Sequence, residues 1–322
     1  MKIRTRIGIF ALMAVLALNA AACGGGFSLV SEARREESYT DAQTMLVIAT
    51  EGNRYRKVYT DQIWHVPVKD DGTDFQTYLL GEIKGFLTQL KTMNLLAEDQ
   101  NIRLTSQEKE QMKELSQDFY DSLTAEDKAY IQAEEEDVYQ MYQEYHLANR
   151  LVDELTKEVN LEISDSEARV ITVQEIQVSD QAQAEAVYAQ AMAEGANFSS
   201  IARSVSENPE IQVSVGRSER EAAYEEPVFA LAEGSISQPF SYQGKWYVVK
   251  CIDEYDEEAT LERKEKLAIQ RKDQAFRQIY DDFAVEHPVE IGGEIWEKVS
   301  LEEHGGSTTT DFFERYQELM EQ

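Results

Sequence analysis

The chain has 322 residues, with 31 Lys and Arg against 61 Asp and Glu and a formal charge of −30, which excludes nucleic-acid binding through a general basic surface. With 42% hydrophobic and 10% aromatic residues it carries enough apolar material for packed cores, about two domains at roughly 150 residues each. Two cysteines, five prolines and four histidines argue against a disulfide framework, a zinc ribbon or a multi-histidine centre, so neither a metal nor a cofactor is expected.

The first predicted element is an export signal. Lys2, Arg4 and Arg6 precede the apolar run Ile7 to Leu18, and Ala20-Ala21-Ala22 lead into Cys23 and Gly24-Gly25-Gly26. Basic, apolar and small-residue parts in that order mark a secretory signal over residues 1–22. The uncharged stretch is shorter than the roughly 20 residues that cross a bilayer. The small residues before Cys23 and the triglycine after it resemble a bacterial lipoprotein processing site, which implies lipidation of Cys23 and a chain held on the outer face of the cytoplasmic membrane. Cleavage after Ala22 without lipid is the alternative, since Ala20 stands where such sites more often carry Leu. Both readings place the product outside the cytoplasm. Cys251, in the apolar run Trp246 to Ile252, reads as an inert core thiol with no histidine near it in sequence.

Residues 24–43 are rich in Gly, Ser and Glu and read as a tether. Met45 to Ala49 and Tyr55 to Tyr59, separated by Glu51-Gly52-Asn53, read as a short hairpin. Apolar residues from Tyr78 to Met93 recur at three and four, predicting a helix over about 74–98. Thr105 and Glu108 form the capping-box pattern for a helix that ends near Leu123. Val138, Met141, Tyr142, Tyr145, Ala148, Val152 and Leu155 mark a long helix over about 133–159, whose acidic start suits the positive helix N-terminus. Val170 to Val178 alternates as a strand, Gln181 to Glu194 is an Ala-rich helix stopped by Gly195, and Trp246 to Ile252 is a second strand. A long helix follows Glu258 and ends near His287-Pro288. Gly305 to Thr310 reads as a flexible link, and Phe312, Phe313, Tyr316, Leu319 and Met320 form a small amphipathic helix whose apolar face needs a partner, in its own body or in another protein.

One constellation carries a family resemblance. Glu194-Gly195-Ala196-Asn197-Phe198-Ser199-Ser200-Ile201-Ala202, then Ser206, Gly216, Phe229-Ala230-Leu231, Gly234-Ser235-Ile236-Ser237-Gln238-Pro239 and Tyr247-Val248-Val249-Lys250 stand in one order at domain-like spacing. Together they resemble a parvulin-type peptidyl-prolyl isomerase over about residues 168–254. With the signal and the flanking helices, the whole resembles the PrsA-like foldase lipoproteins and, less closely, SurA-like chaperones. The resemblance implies an α+β chain: a helical chaperone module formed by N- and C-terminal segments, with an inserted parvulin-like domain, a small antiparallel sheet surrounded by helices. The implied bounds are signal 1–22, lipidated tether 23–43, N-terminal chaperone segment 44–163, isomerase domain 164–256, C-terminal helical segment 257–300 packed on the N-terminal one, and a linker with a short helix over 301–322.

The resemblance also implies a site. Val215, Tyr224 and Phe229 fall at proline-pocket positions, and Arg220 falls where an apolar pocket residue is usual. Glu175 and Tyr247 occupy the places of the two histidines that parvulins carry in the first and last strands, and Asn208 that of a Cys or Asp near the substrate amide. The chain's histidines are His65, His146, His287 and His304, none inside the domain. A buried carboxylate without a partner is costly, so Glu175 is expected either to bond Tyr247 across the strands or to be exposed.

Two functions follow from the resemblance. One is an extracytoplasmic foldase, isomerase and chaperone for exported proteins, whose partners are unfolded or proline-containing polypeptides and, through the lipid, the membrane. The other is a parvulin-domain holdase without catalysis, which the missing histidines favour.

Overall fold

The computed structural model describes residues 35–37 and 39–321, so the export signal and Cys23 lie outside the described residues. The chain divides into two units, Met1–Glu158 with Ala275–Gln322, and Val159–Gln274. Among the described residues no helix is long and apolar enough to cross a membrane.

The first unit begins with β1 (Arg35–Glu37) and α1 (Asp41–Tyr59). A helix thus replaces the expected hairpin. Its start is a capping box: the Thr40 hydroxyl accepts from the Gln43 N–H, and the Gln43 side chain accepts from the Thr40 N–H, both at 3.0 Å. A run of consecutive apolar residues fits a buried strand and a buried helix equally well by pattern. Packing decides here, because every residue from Leu46 to Asn53 is buried. The apparent turn tripeptide lies inside the helix, where Glu51 makes a local pair and Gly52 and Asn53 make tertiary contacts. Glu51 pairs with Arg54 at 2.9 Å. A Cβ on Gly52 would stand 3.1 Å from Leu301 Cδ2, and Asn53 Nδ2 donates to Ser307 Oγ and to the Thr309 carbonyl at 3.0 Å each.

Four more helices complete this part: α2 (Phe75–Asp99), α3 (Ser106–Ser122), α4 (Ala125–Ile131) and α5 (Glu135–Thr156). Thr105 caps α3 with Glu108 in the predicted box. The short α4 has no counterpart among the sequence expectations; it carries a box of its own, from Thr124 and Asp127. Leu87, Leu90, Met93, Met112, Phe119, Tyr142 and Leu151 share one core.

The second unit contains α6 (Asp165–Ala168), β2 (Val170–Val178), α7 (Gln181–Ala191), α8 (Phe198–Val205), β3 (Gln212–Gly216), α9 (Ala222–Phe229), β4 (Phe240–Tyr242) and β5 (Lys245–Asp253). Its four strands form an antiparallel sheet in the order β3-β2-β5-β4. α7 stops at Ala191, three residues before the expected end, and Gly195 takes the left-handed backbone, φ 75°, where a residue without Cβ is favoured. The first part of α10 (Glu257–Glu286) also belongs here. Arg271 donates to the carbonyls of Asn160 and Glu162 at 3.2 and 3.0 Å, Arg263 to the Arg217 carbonyl at 2.6 Å, and Lys264 pairs with Asp165. This compact unit thus runs to Gln274, whereas the isomerase domain expected from the sequence ends at residue 256.

The chain then returns to the first unit with β6 (Val289–Ile291), α11 (Ile295–Lys298) and α12 (Phe312–Met320). β6 pairs in parallel with β1, Arg35 opposite Val289 and Glu37 opposite Ile291, so part of the expected tether is a strand. The segment expected to be a slack link is anchored: Asp127 Oδ1 accepts from the Ser307 hydroxyl at 2.8 Å and from the N–H groups of Thr308 and Thr309 at 2.7 and 3.0 Å. α12 docks on its own body. Phe312 is fully buried and stacks on Tyr142 with centroids 4.1 Å apart and an interplanar angle of 12°.

Candidate functional site

Strand β2 is central in its sheet and buries side chains on both faces. Ile176 and Val178 face a core completed by Val187, Phe198, Ile201 and Val248. Ile171, Val173 and Glu175 alternate onto the opposite face, where Val215 from β3, Tyr224, Val228 and Phe229 from α9, and Tyr247 and Val249 from β5 form the other core. A carboxylate therefore stands on the apolar side of a central strand, opposite Val249 and two positions in register from the Gln177–Tyr247 pair.

Glu175 is 3% exposed and has two partners. Arg220 Nη1 donates to its Oε1 at 2.7 Å, and the Tyr224 hydroxyl donates to the same oxygen. The expected bond to Tyr247 is not formed and the carboxylate is not exposed, so both sequence alternatives fail. The physical reason is that Arg220, at the apolar position of the family pattern, supplies the countercharge that burial of Glu175 requires. Burial raises the Tyr224 phenol far above its usual range, and the adjacent Glu175 carboxylate adds to the rise. Tyr247 is raised by burial first and by Glu175 second. For Arg220, burial acts downward, but Tyr224 and Glu175 outweigh it and hold the guanidinium firmly protonated.

The aromatic environment is dense. Tyr224 meets Phe240, Tyr242 and Tyr247 with centroids 5.7, 5.4 and 5.9 Å away. The Arg220 guanidinium carbon lies 4.1 Å from the Tyr224 ring centroid, within cation–π range. Phe229 has a guanidinium of its own, that of Arg217, also at 4.1 Å.

Of the residues singled out from sequence, Glu175, Arg220, Tyr224 and Tyr247 come together, with Val215 and Phe229 in the same core. The expected open aromatic pocket is closed in this structure, because Tyr224 is 0% and Val215 1% exposed. Asn208 is not joined to the Glu175 cluster by any hydrogen bond among the described residues; its Oδ1 accepts from the Glu210 N–H at 3.0 Å in a local turn. Cys251 is buried, and burial pushes its thiol up, as expected of an inert thiol. Cys23 lies outside the described residues. Sequence reasoning missed Phe240 and Tyr242, whose only signal was their place just before the last strand. It also missed the Glu175–Arg220 pair, which two opposite charges at two normally uncharged family positions could have suggested.

The second unit has the small antiparallel sheet surrounded by helices that is expected of a parvulin-type domain. Residues 162–265, which lie within the second unit, match the family described as the PPIC-type PPIase domain. Its match runs past the 168–254 of the sequence resemblance, in keeping with the contribution of α10. Among solved structures, the chain is similar to a peptidylprolyl isomerase (PrsA) from Bacillus cereus at 16% identity and TM-score 0.40, over 77% of this chain and 96% of that one. It is also similar to the foldase protein PrsA from Streptococcus pneumoniae, at 16% identity and TM-score 0.29 over 77% and 94%. A third similarity is to a structure from Campylobacter jejuni described as a SurA-like chaperone, at 14% identity and TM-score 0.26 over 75% and 94%. No curated protein matches the chain.

Proposed function

We propose that this chain is an extracytoplasmic protein-folding factor, a peptidyl-prolyl cis–trans isomerase and chaperone for exported proteins, held to the membrane through a lipid on Cys23. The observation that carries the reading is the family match over residues 162–265, which coincides with a separately packed unit that has its own sheet. The helical unit is the chaperone module, and its clients are unfolded polypeptides. The acidic surface favours basic clients, with an attraction that salt weakens.

Isomerisation needs neither nucleophile nor cofactor. The barrier of ~18–20 kcal/mol is amide resonance, so the site must bind the twisted amide better than the planar one. Val215, Tyr224 and Phe229 supply apolar walls for the proline ring. Glu175, Tyr247 and Asn208 occupy the family's polar positions, where Glu175 positions the Tyr224 hydroxyl and the Arg220 guanidinium. The uncatalysed step takes tens to hundreds of seconds, slow enough for an exported chain to gain from catalysis.

Cis–trans exchange on a short Xaa-Pro peptide, followed by NMR with the chain from residue 24 onward, tests this. Exchange faster than the uncatalysed rate that falls in Tyr224→Ala is the expected result. A second reading, a holdase without catalysis, draws on the closure of the Tyr224 face by Arg220. It gains if the folded chain leaves exchange at the uncatalysed rate yet suppresses aggregation of an unfolded client. Mass spectrometry of the membrane fraction tests the anchor, and an unmodified Cys23 would remove it.

A further inference from the structure

We infer that Arg220 is a plug in the proline pocket, seated on the Tyr224 ring and latched by Glu175, and that it determines which peptides the site admits by having to leave before a proline ring can enter. The inference rests on the proposed isomerase site and goes beyond it by assigning a closed and an open state.

Three observations meet at this residue. Tyr224, the aromatic best placed to receive a proline, has no exposed surface, and three aromatic rings already surround it. The guanidinium of Arg220, 4.1 Å from its centroid, occupies the stacking distance a proline ring would need. Second, Arg220 is far more exposed than its partner Glu175. Its side chain is 27% exposed, and it belongs to the segment between β3 and α9, just before the Glu221 N-cap. A long, partly exposed side chain can change rotamer without displacing the sheet. Third, the latch cannot follow. Glu175 lies on the central strand, paired with β5 on one side and bonded through its own N–H to the Ile211 carbonyl at 2.7 Å on the other.

Opening leaves Glu175 with Tyr224 alone, so the closed state dominates in the free protein. A ligand that binds only a minor state has its apparent affinity reduced by that state's fraction. Neutralising the latch and shortening the plug should therefore raise apparent affinity for an Xaa-Pro peptide by roughly tenfold or more. The double variant Glu175→Gln/Arg220→Met does this without stranding a charge: Gln still accepts from the Tyr224 hydroxyl, and Met fills similar volume with a flexible apolar chain. Glu175→Gln alone is the second probe, for use if the double variant fails to fold.

The test titrates the chain from residue 24 onward, as parent and as both variants, with a short Xaa-Pro peptide, reading binding from amide NMR shifts in α9 and exchange from the peptide's own resonances. Melting curves establish that each variant is folded. At least tenfold tighter binding by the double variant, with a smaller gain in Glu175→Gln, is the expected result. Tighter binding by the double variant keeps the plug whatever its exchange rate, because Glu175→Gln also alters the proposed isomerase site. Unchanged or weaker binding by folded variants overturns the plug, and the isomerase reading is then judged on the parent's exchange rate alone.

Discussion

Asp127 in the helical unit and Glu175 in the parvulin-type unit are both carboxylates hidden from water, 2% and 3% exposed, and they are satisfied in opposite ways. Asp127 accepts from neutral donors spread over two segments, the Thr124 and Ser307 hydroxyls and the N–H groups of Thr124, Thr308 and Thr309. No single side chain can release it. Glu175 depends on one long cation and one phenol, so a single rotamer change undoes its neutralisation. The difference teaches how to tell a lock from a latch: many short, fixed donors hold a chain segment, whereas one flexible countercharge holds a state.

The strongest way to break this comparison is to remove the countercharge alone. Arg220→Met without the compensating change should destabilise the parvulin-type unit by about 3–5 kcal/mol, the range for a buried charge left unpaired, and Glu175→Gln in the same chain should restore most of it. Denaturant unfolding checks this, and a loss below about 1 kcal/mol would show that Glu175 does not depend on Arg220. Asp127→Ala should cost about 3 kcal/mol, because buried donors lose a charged acceptor. It should also expose residues 305–310 to proteolysis, and an unchanged cleavage pattern would remove the lock.

Acid sharpens the contrast within the helical unit. Burial alone would raise the Asp127 and Glu108 carboxyls, but the bonds from Thr124, Thr308 and Thr309 lower the first, and those from Thr105 and Arg150 bring the second from 4.5 to about 2. A carboxyl whose folded pKa lies below its unfolded one contributes stability above the unfolded value and loses it as pH falls through the folded value. Stability should therefore decline between about pH 4.5 and pH 2, and Glu108→Gln should flatten that limb while lowering stability at pH 7 by roughly 2 kcal/mol. A parallel decline in variant and parent would place the acid sensitivity elsewhere. The smallest effect belongs to Ser307→Ala, about 1 kcal/mol, since Asp127 keeps the N–H groups of Thr308 and Thr309; a loss as large as that of Asp127→Ala would mean the hydroxyl alone carries the lock.

Where local chemistry and tertiary packing agreed, the elements were legible. Val170–Val178 is the predicted strand, and Thr105 with Glu108 is the predicted box. Elsewhere the sequence pattern admitted two answers. Met45 to Ala49 is apolar without interruption, and it is helix because Leu46 to Asn53 are buried in the core behind the capping box at Thr40. Glu51-Gly52-Asn53 has turn composition, yet these residues meet Arg54, Leu301 and Ser307. Gly305 to Thr310 has linker composition and is ordered by an acceptor some 180 positions earlier in the chain. For the site, the family positions located most of the participants, but not the pairing of Glu175 with Arg220 or the closing of the Tyr224 face.

By itself, the sequence determined the acidic character, most helix and strand positions, and the parvulin-type constellation of the insert. These depend on composition, on periods of two and 3.6 residues, and on capping bonds that span three residues. Only the tertiary structure decided that the first apolar run is helical, that α12 docks on its own unit, that the second unit extends into α10, and that Arg220 covers Tyr224 while Glu175 holds it. Apart from the local contact of Arg220 with Tyr224, these features join residues distant in the chain, where burial and charge pairing, rather than local pattern, set the lowest free energy.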